Sequence, residues 1–316
     1  MALQFILGPS GAGKSEYIYE DIIRRTMQDE RENVIVLVPE QYSLEIQRKL
    51  VQKHPRGGSF QIDVIGFNRL AYRIFDELHI KPKKVLEDFG KSMLLRKAAQ
   101  EHKEELSLYA GSLDKAGFID EAKSLMSEIY QYDIPRERLR EALQKLDDSE
   151  EARVLARKLQ DMLVIFDAFE EKKGQSFIVA EQMLELLTAA AEQSELIAGS
   201  EIVLDGFTGF TPIQLNLISV LLRRAKKVTI VLTIDAATYE KKHVAEHELF
   251  ALTKQTIEHL LLTAEQAHVV VEPALFLGKD GCKRWSKGHP LAHLEQNLFR
   301  YPYRVGKDEE QAITIT

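Results

Sequence analysis

The feature that most constrains this chain is the run Gly8-Pro-Ser-Gly-Ala-Gly-Lys14-Ser15, a full match to the pattern G-x-x-x-x-G-K-[ST]. It follows the β-like LQFIL and precedes a helical pattern that runs towards Met27. Glycines let consecutive backbone N–H groups turn towards phosphate oxygens at a helix N-terminus. Strand, loop and helix in this order predict a phosphate-binding loop within an α/β fold. A plain glycine-rich turn is the alternative interpretation.

The loop predicts a site for ATP and Mg²⁺. Lys14 is expected to reach the terminal phosphates, and the Ser15 hydroxyl is expected to hold the metal. The residues predicted to bind the nucleotide are Gly8, Gly11, Gly13, Lys14 and Ser15. A P-loop motor also needs an acidic residue at the end of another strand, usually followed by a glutamate that activates water.

The strand-like EIVLD supplies the second predicted metal residue, Asp205. Gly206 and Phe207 follow it, so the adjoining base is missing. We therefore expect metal binding without vigorous hydrolysis. A simple strand-end turn is the alternative interpretation of Asp205.

The order of patterns along the chain predicts a parallel sheet flanked by helices. Residues 1–85 alternate β-like and helical runs, residues 86–199 are helical almost throughout, and strand patterns return at 201–204 and 228–234. Such alternation is typical of a parallel α/β sheet. We predict an α/β, P-loop domain in two segments, 1–85 and 200–316, interrupted by an all-helical insertion at 86–199.

Composition limits the class of protein. The net charge of −7 argues against a generally basic surface, although it leaves room for a local groove that binds nucleic acid. The single cysteine, Cys282, excludes an intrachain disulfide framework, and no apolar run approaches the roughly 20 residues that cross a bilayer. We expect a cytoplasmic protein without a membrane segment.

Two features of the last zone need separate interpretations. The chain stops at the β-like AITIT, residues 312–316, so we expect a piece cut from a longer polypeptide. His243-Val-Ala-Glu246-His247 fits H-x-x-E-H, in which two histidines one helical turn apart bind Zn²⁺. No third ligand stands out, and a solvated helix face is the favoured interpretation of that segment.

Several motifs together resemble one family. VLDGFTGFTPIQLNLISVLL resembles motif II of superfamily 1 DNA helicases, with Asp205 and Gln214 matching, Gly206 replacing Glu and Thr208 replacing the first Gln. VIVLVPEQYSLEIQRKL resembles motif Ia, and IDVIGFNRLAYRIFDEL resembles the next strand–helix element. An intact P-loop beside a decayed motif II, with LVPEQ and GFNRLAYR, resembles the AddB-type (RexB-like) subunit of the bacterial AddAB helicase-nuclease.

The resemblance implies a RecA-like, vestigial helicase domain (1A) with the helical insertion as subdomain 1B. It also implies an AddA-type helicase-nuclease partner in a heterodimer that processes DNA double-strand breaks. Of the family's further parts, the second RecA-like domain and the nuclease domain with its iron–sulfur cluster are expected to be absent here. One cysteine cannot supply the four thiolates of that cluster. Nuclease activity and robust ATPase or helicase activity are therefore not expected of this chain.

The same resemblance implies that the inactivated domain binds single-stranded DNA and recognises a recombination hotspot (Chi). Aromatic faces stack on bases, and a guanidinium group binds phosphate or a guanine edge. The residues to which this role is assigned are Gln41, Ser43, Phe67, Arg69, Tyr72 and Phe210.

Ordinary structural roles are the alternatives for these six residues. Phe67 and Tyr72 would be core residues, Arg69 a surface ion-pair partner, and Gln41 and Ser43 helix caps. For the whole chain, the alternative is a free-standing P-loop NTPase or small-molecule kinase with a helical lid.

Overall fold

The computed structural model describes residues 1–29, 31–115, 117–147, 149–174, 176–278, 283–285, 289–299, 302 and 304–305. The strands are β1 (Ala2–Gly8), β2 (Asn33–Leu37), β3 (Ile62–Ile65), β4 (Lys84–Leu86), β5 (Phe177–Val179), β6 (Ser200–Leu204), β7 (Lys227–Thr233), β8 (Val270–Val271) and β9 (Leu275–Phe276).

Helices connect most of these strands. They are α1 (Lys14–Gln28), α2 (Ser43–Lys53), α3 (Phe67–Glu77), α4 (Asp88–Glu101), α5 (Phe118–Gln131), α6 (Arg136–Gln144), α7 (Glu150–Lys173), α8 (Ala180–Ala191), α9 (Glu195–Ala198), α10 (Pro212–Arg224), α11 (Ala236–Glu240), α12 (Ala251–Gln266) and α13 (Pro290–Asn297). Single 3-10 turns lie at Glu40–Tyr42 and Lys103–Glu105. No helix in the described ranges has the length and apolar character that a membrane span needs.

A seven-stranded sheet forms the frame of the molecule. Its strand order is β3-β2-β6-β7-β1-β8, and β9 pairs with β1 beyond the end of β8's short contact. Every strand pair recorded in this sheet is parallel. Parallel strands are covered by helices on both faces, which is why the central runs QFIL, VIVL and IVL are nearly continuous apolar sequence. The carboxyl ends of these strands meet at one edge.

Helix α1 packs against that sheet through one apolar stripe. Ile18, Tyr19, Ile22 and Ile23 recur at helical spacing and are buried in one cluster with strand residues such as Val203. The stripe fixes which face of α1 meets the sheet, and so fixes the direction in which the loop before it opens.

The chain divides into two compact units. The first comprises Met1–Arg69, Ser194–Phe210 and Ile218–Thr316, and the second comprises Leu70–Gln193 and Thr211–Leu217. The second unit has its own core, built around residues of α4, α5 and α7 that include Leu95, Ile119 and Phe169. The predicted boundaries at 85/86 and 199/200 differ from these units by several residues, and the predicted domain organisation stays a prediction.

Asp161 fixes a turn in the second unit. Its carboxylate, in a residue only 2% exposed, accepts backbone N–H bonds from Ser107, Leu108 and Tyr109 at 2.8, 2.7 and 2.8 Å. Burial raises the pKa of the Asp161 carboxyl, but these three backbone bonds outweigh it and leave the pKa below its usual value.

The predicted fold class, an α/β protein with a parallel sheet flanked by helices, is confirmed. The three-residue strands β4 and β5, which pair in parallel, were not predicted within or beside the helical zone. Two sequence predictions, those concerning Cys282 and the β-like run at 312–316, lie outside the described residues.

Candidate nucleotide and nucleic-acid site

The predicted phosphate-binding loop joins β1 to α1. Gly13 is the N-cap of α1 and lies in the left-handed region at φ 84°. The Lys14 side chain is 8% exposed, and its Nζ donates to the carbonyl oxygens of Gly8 at 2.9 Å and Pro9 at 2.8 Å. The lysine therefore folds over its own loop. A phosphate held by the loop's N–H groups would meet this ammonium group, so these residues fit the triphosphate of a nucleotide.

Asp205 follows β6 directly and is held from two sides. Its backbone N–H donates to Leu37 O at 3.0 Å, and its Oδ2 accepts a hydrogen bond of 2.6 Å from the hydroxyl of Tyr19 on α1. Burial, followed by the nearby Asp205 carboxylate, raises the pKa of Tyr19 well above its ordinary value. The phenol is therefore neutral and available as a donor. The Asp205 carboxylate, 5% exposed, already has a protein partner.

Ser15 and Asp205 follow strands that are not neighbours. Ser15 lies half-buried in the first turn of α1, after β1, and β7 separates β1 from β6. Strands lie about 4.8 Å apart, so the two strand ends are roughly 10 Å apart across the sheet. That spacing suits a metal bound directly by Ser15 and through water by Asp205. Their joint role as a Mg²⁺ site stays a prediction.

The position after Asp205 has a backbone that suits glycine. Gly206 has φ 82°, and a Cβ there would lie 3.4 Å from Pro39 Cδ. A residue with a side chain is strained in that conformation. The missing catalytic base therefore reflects the path of the turn as well as the residue type.

Three aromatic rings form a row at this edge of the sheet. The ring centroids of Phe67 and Phe207 are 5.4 Å apart, and those of Phe207 and Phe210 are 5.3 Å apart, each pair tilted by 40°. All three side chains are partly exposed. We call these three residues the aromatic row. The row brings together Phe67 from the start of α3 and two residues from the loop after β6.

Glu40 ties the loop after β2 to the start of α3. Its Oε1 accepts the backbone N–H of Asn68 at 3.1 Å. Gly66 makes room for this carboxylate, since a Cβ on Gly66 would lie 2.2 Å from Glu40 Cδ. The sequence elements PEQ and GF are thus parts of one contact.

The other predicted DNA-binding residues are placed less closely together. Gln41 is exposed in the 3-10 turn after β2, and Ser43 donates its hydroxyl to Glu40 O at 2.9 Å. Arg69 is exposed on the first turn of α3. Tyr72 lies further along α3, in the second unit, with 47% of its surface exposed. The core interpretation of Tyr72 is therefore wrong, while a DNA-binding role for these residues stays a prediction.

Sequence reasoning missed two aromatic residues in this region. Phe207 is the middle ring of the aromatic row. Tyr42, 43% exposed, lies near the turn, with its Cδ2 3.9 Å from the Cβ position of Gly206. The spacing of Phe207 and Phe210 in GFTGF was the available signal. No local signal connects Phe207 to Phe67.

Gln214, which matches motif II, caps a helix here. Its Oε1 accepts the backbone N–H of Thr211 at 3.0 Å, at the start of α10. Capping satisfies one of the donors that a helix N-terminus leaves unpaired.

The helical zinc motif is wrong. His243, Glu246 and His247 lie in turns between α11 and α12, because Glu248 accepts the Ala245 N–H at 3.1 Å and pairs with Lys241, which closes a loop instead of a helix. Within the described residues no group of three or more His, Cys, Asp or Glu side chains is placed to hold a metal ion.

The fold and the loop define a P-loop protein of the RecA-like class. A family model described as "ADDB, N-terminal" matches residues 5–295, and the chain therefore belongs to the AddB N-terminal family.

Relatives point the same way. The B-type subunit of the ATP-dependent helicase/deoxyribonuclease of Lachnoclostridium phytofermentans is 38% identical, over 100% of this chain and 28% of that protein. The corresponding proteins of Clostridium kluyveri and of Caldanaerobacter subterraneus subsp. tengcongensis carry the same name. They are 33% and 32% identical, again over 100% of this chain and 27% of theirs. The chain thus spans little more than a quarter of the length of these relatives.

Proposed function

We propose that this chain is the non-motor, DNA-binding part of a helicase-nuclease that processes DNA double-strand breaks in the cytoplasm. It holds single-stranded DNA and recognises a hotspot (Chi) sequence, while an AddA-type partner supplies the motor. It also binds ATP and Mg²⁺ without appreciable turnover. The relatives are named as one subunit of an ATP-dependent helicase/deoxyribonuclease, which supports a second subunit and a DNA substrate.

The aromatic row carries the DNA-binding proposal. Three partly exposed rings about 5 Å apart follow one another along one edge of the sheet. Stacking of a base on an aromatic side chain is worth about 1–3 kcal/mol and accepts any base. Gln41 and Arg69, exposed on the adjoining strand end and helix, supply polar and cationic groups for base edges and phosphates. A row of rings fits a flexible strand better than it fits a duplex.

The strand order supports the helicase-like interpretation over a small-molecule kinase. β7 lies between the P-loop strand β1 and the Asp205 strand β6. RecA-like proteins have a strand in that place, whereas P-loop kinases put the two strands side by side.

The nucleotide part of the proposal rests on the loop and the missing base. Backbone N–H groups from Gly11 to Ser15 and the Lys14 ammonium group would hold the phosphates. Ser15 and Asp205 would hold Mg²⁺, which supplies charge neutralisation at the phosphates when bound. Without a base beside Asp205, bound ATP would serve as a structural ligand.

Fluorescence anisotropy with a labelled oligo-dT strand tests DNA binding by the 316-residue chain. We expect Phe207→Leu and Phe210→Leu to weaken binding about tenfold each, because leucine keeps apolar volume and removes the stacking face. Phe89→Leu is the matched control, since Phe89 is 76% exposed on α4, away from the aromatic row. Equal affinity of all variants, or an equal loss in the control, would contradict the proposal.

The full complex tests hotspot recognition. In the full-length protein with its motor partner, Arg69→Ala or Phe210→Ala should weaken the response to the hotspot and leave unwinding largely intact. Collapse of unwinding would mean that these residues serve folding or assembly.

A further inference from the structure

A segment near the end of the chain lies against the phosphate-binding loop. β9 runs parallel to β1, so the chain leaves β9 at the same edge of the sheet as the loop. The Leu277 N–H donates to Leu7 O at 2.8 Å, and the Arg284 N–H donates to Gly11 O at 3.2 Å. Gly8 allows this approach, since a Cβ there would lie 2.4 Å from Leu277 O. Two backbone bonds thus hold the segment on the loop.

Lys283 places a second ammonium group at the mouth of the loop. Its Cδ lies 3.0 Å, and its Nζ 3.8 Å, from the position that a Cβ on Gly13 would occupy. Gly13 is the residue immediately before α1, where the loop's N–H groups converge. An anion seated on these N–H groups lies within a short side-chain rotation of Lys283 Nζ.

We propose that Lys283 is a phosphate-binding residue of the nucleotide site and contacts the polyphosphate across Gly13 from the side opposite Lys14. The inference rests on the nucleotide binding proposed above and adds a ligand that the P-loop pattern does not contain. The ligand is the polyphosphate chain of a nucleoside triphosphate.

Charge and geometry favour a ligand-binding role over a purely structural one. Lys283 is exposed, so burial of its stem contributes little to folding. A charge-assisted hydrogen bond to phosphate is about twice as strong as a neutral one. In active P-loop NTPases an additional cation reaches the phosphates from elsewhere in the protein or from a partner. Here the same chain supplies it, on a segment fixed to the loop itself.

Titration of the 316-residue chain with ATP–Mg²⁺, followed by calorimetry at low salt, tests the inference. Lys283→Ala should weaken ATP binding about tenfold, which corresponds to about 1.4 kcal/mol, and inorganic tripolyphosphate should lose affinity by a similar factor. Lys283→Arg should keep most of the affinity. Arg284→Ala is the matched control, because it removes a neighbouring charge and keeps the backbone bond to Gly11. We expect its affinity to stay within about twofold of the wild type.

The outcomes separate this inference from the proposed nucleotide site. If Lys14→Ala abolishes binding and Lys283→Ala leaves it unchanged, Lys283 is not a ligand, although the site stands. If Arg284→Ala loses as much as Lys283→Ala, the effect is a general field and the inference is wrong. If Lys14→Ala itself binds ATP normally, the nucleotide site is wrong. A loss of tripolyphosphate affinity in Lys283→Arg as large as that in Lys283→Ala would also contradict the inference.

Discussion

Single residues determine what remains of the metal site. Asp205 is kept at the end of β6, but the Tyr19 hydroxyl donates to it at 2.6 Å. Removing that donor leaves a buried carboxylate oxygen without its partner, which costs about 1–3 kcal/mol. The hydrogen bond therefore contributes to stability while engaging a carboxylate that a motor would direct at its metal.

Tyr19→Phe should lower the free energy of unfolding by about 1–2 kcal/mol at pH 8. The pKa of Tyr19 is raised from 10.0, so the folded protein holds the phenol proton more tightly than the unfolded chain. This contribution is fully present below about pH 10 and is lost as the pH rises further. Urea unfolding from pH 8 to 11 should show the wild type and the variant converging above pH 10.

Tyr17→Phe is the control for that experiment, because Tyr17 lies on the same helix and is 40% exposed. Its unfolding curve should parallel the wild type at every pH. Parallel curves for Tyr19→Phe as well would contradict the coupling to Asp205.

At the scale of elements, one contact joins the loop after β2 to helix α3. Glu40→Ala should cost about 1 kcal/mol in unfolding free energy, because the Asn68 N–H loses its cap. Gly66→Ala should cost a similar amount, since its methyl group would displace the same carboxylate.

A double-mutant cycle on these two residues should give a sum larger than the measured loss of the double variant, because both changes remove the same contact. Chemical denaturation measures the three losses. Additive losses would mean that Glu40 and Gly66 act separately.

The elements themselves were largely readable from the sequence. Apolar runs and helical stripes identified β1, α1, β2 and their successors, because burial on a parallel sheet requires them. Strands β4 and β5, of three residues each, carry too little pattern. The aromatic row and Lys283 depend on which strands are neighbours, and only the folded topology supplies that.

At the scale of the whole chain, we expect binding of nucleotide without turnover. Phosphate release by the 316-residue chain, with and without single-stranded DNA, should stay at background under conditions in which the motor partner is active. The reason is the absence of a base beside Asp205 at Gly206. DNA-stimulated turnover at a rate comparable with the motor would contradict the proposed loss of function.

The left-handed turn at Gly206 has an evolutionary consequence. A single codon change to glutamate would not restore an engine, because the new side chain would meet Pro39 from an unfavourable backbone conformation. Reactivation would require both turns to be rebuilt together. Selection acting one substitution at a time therefore has no easy route back, and this region is free to specialise in holding its ligands.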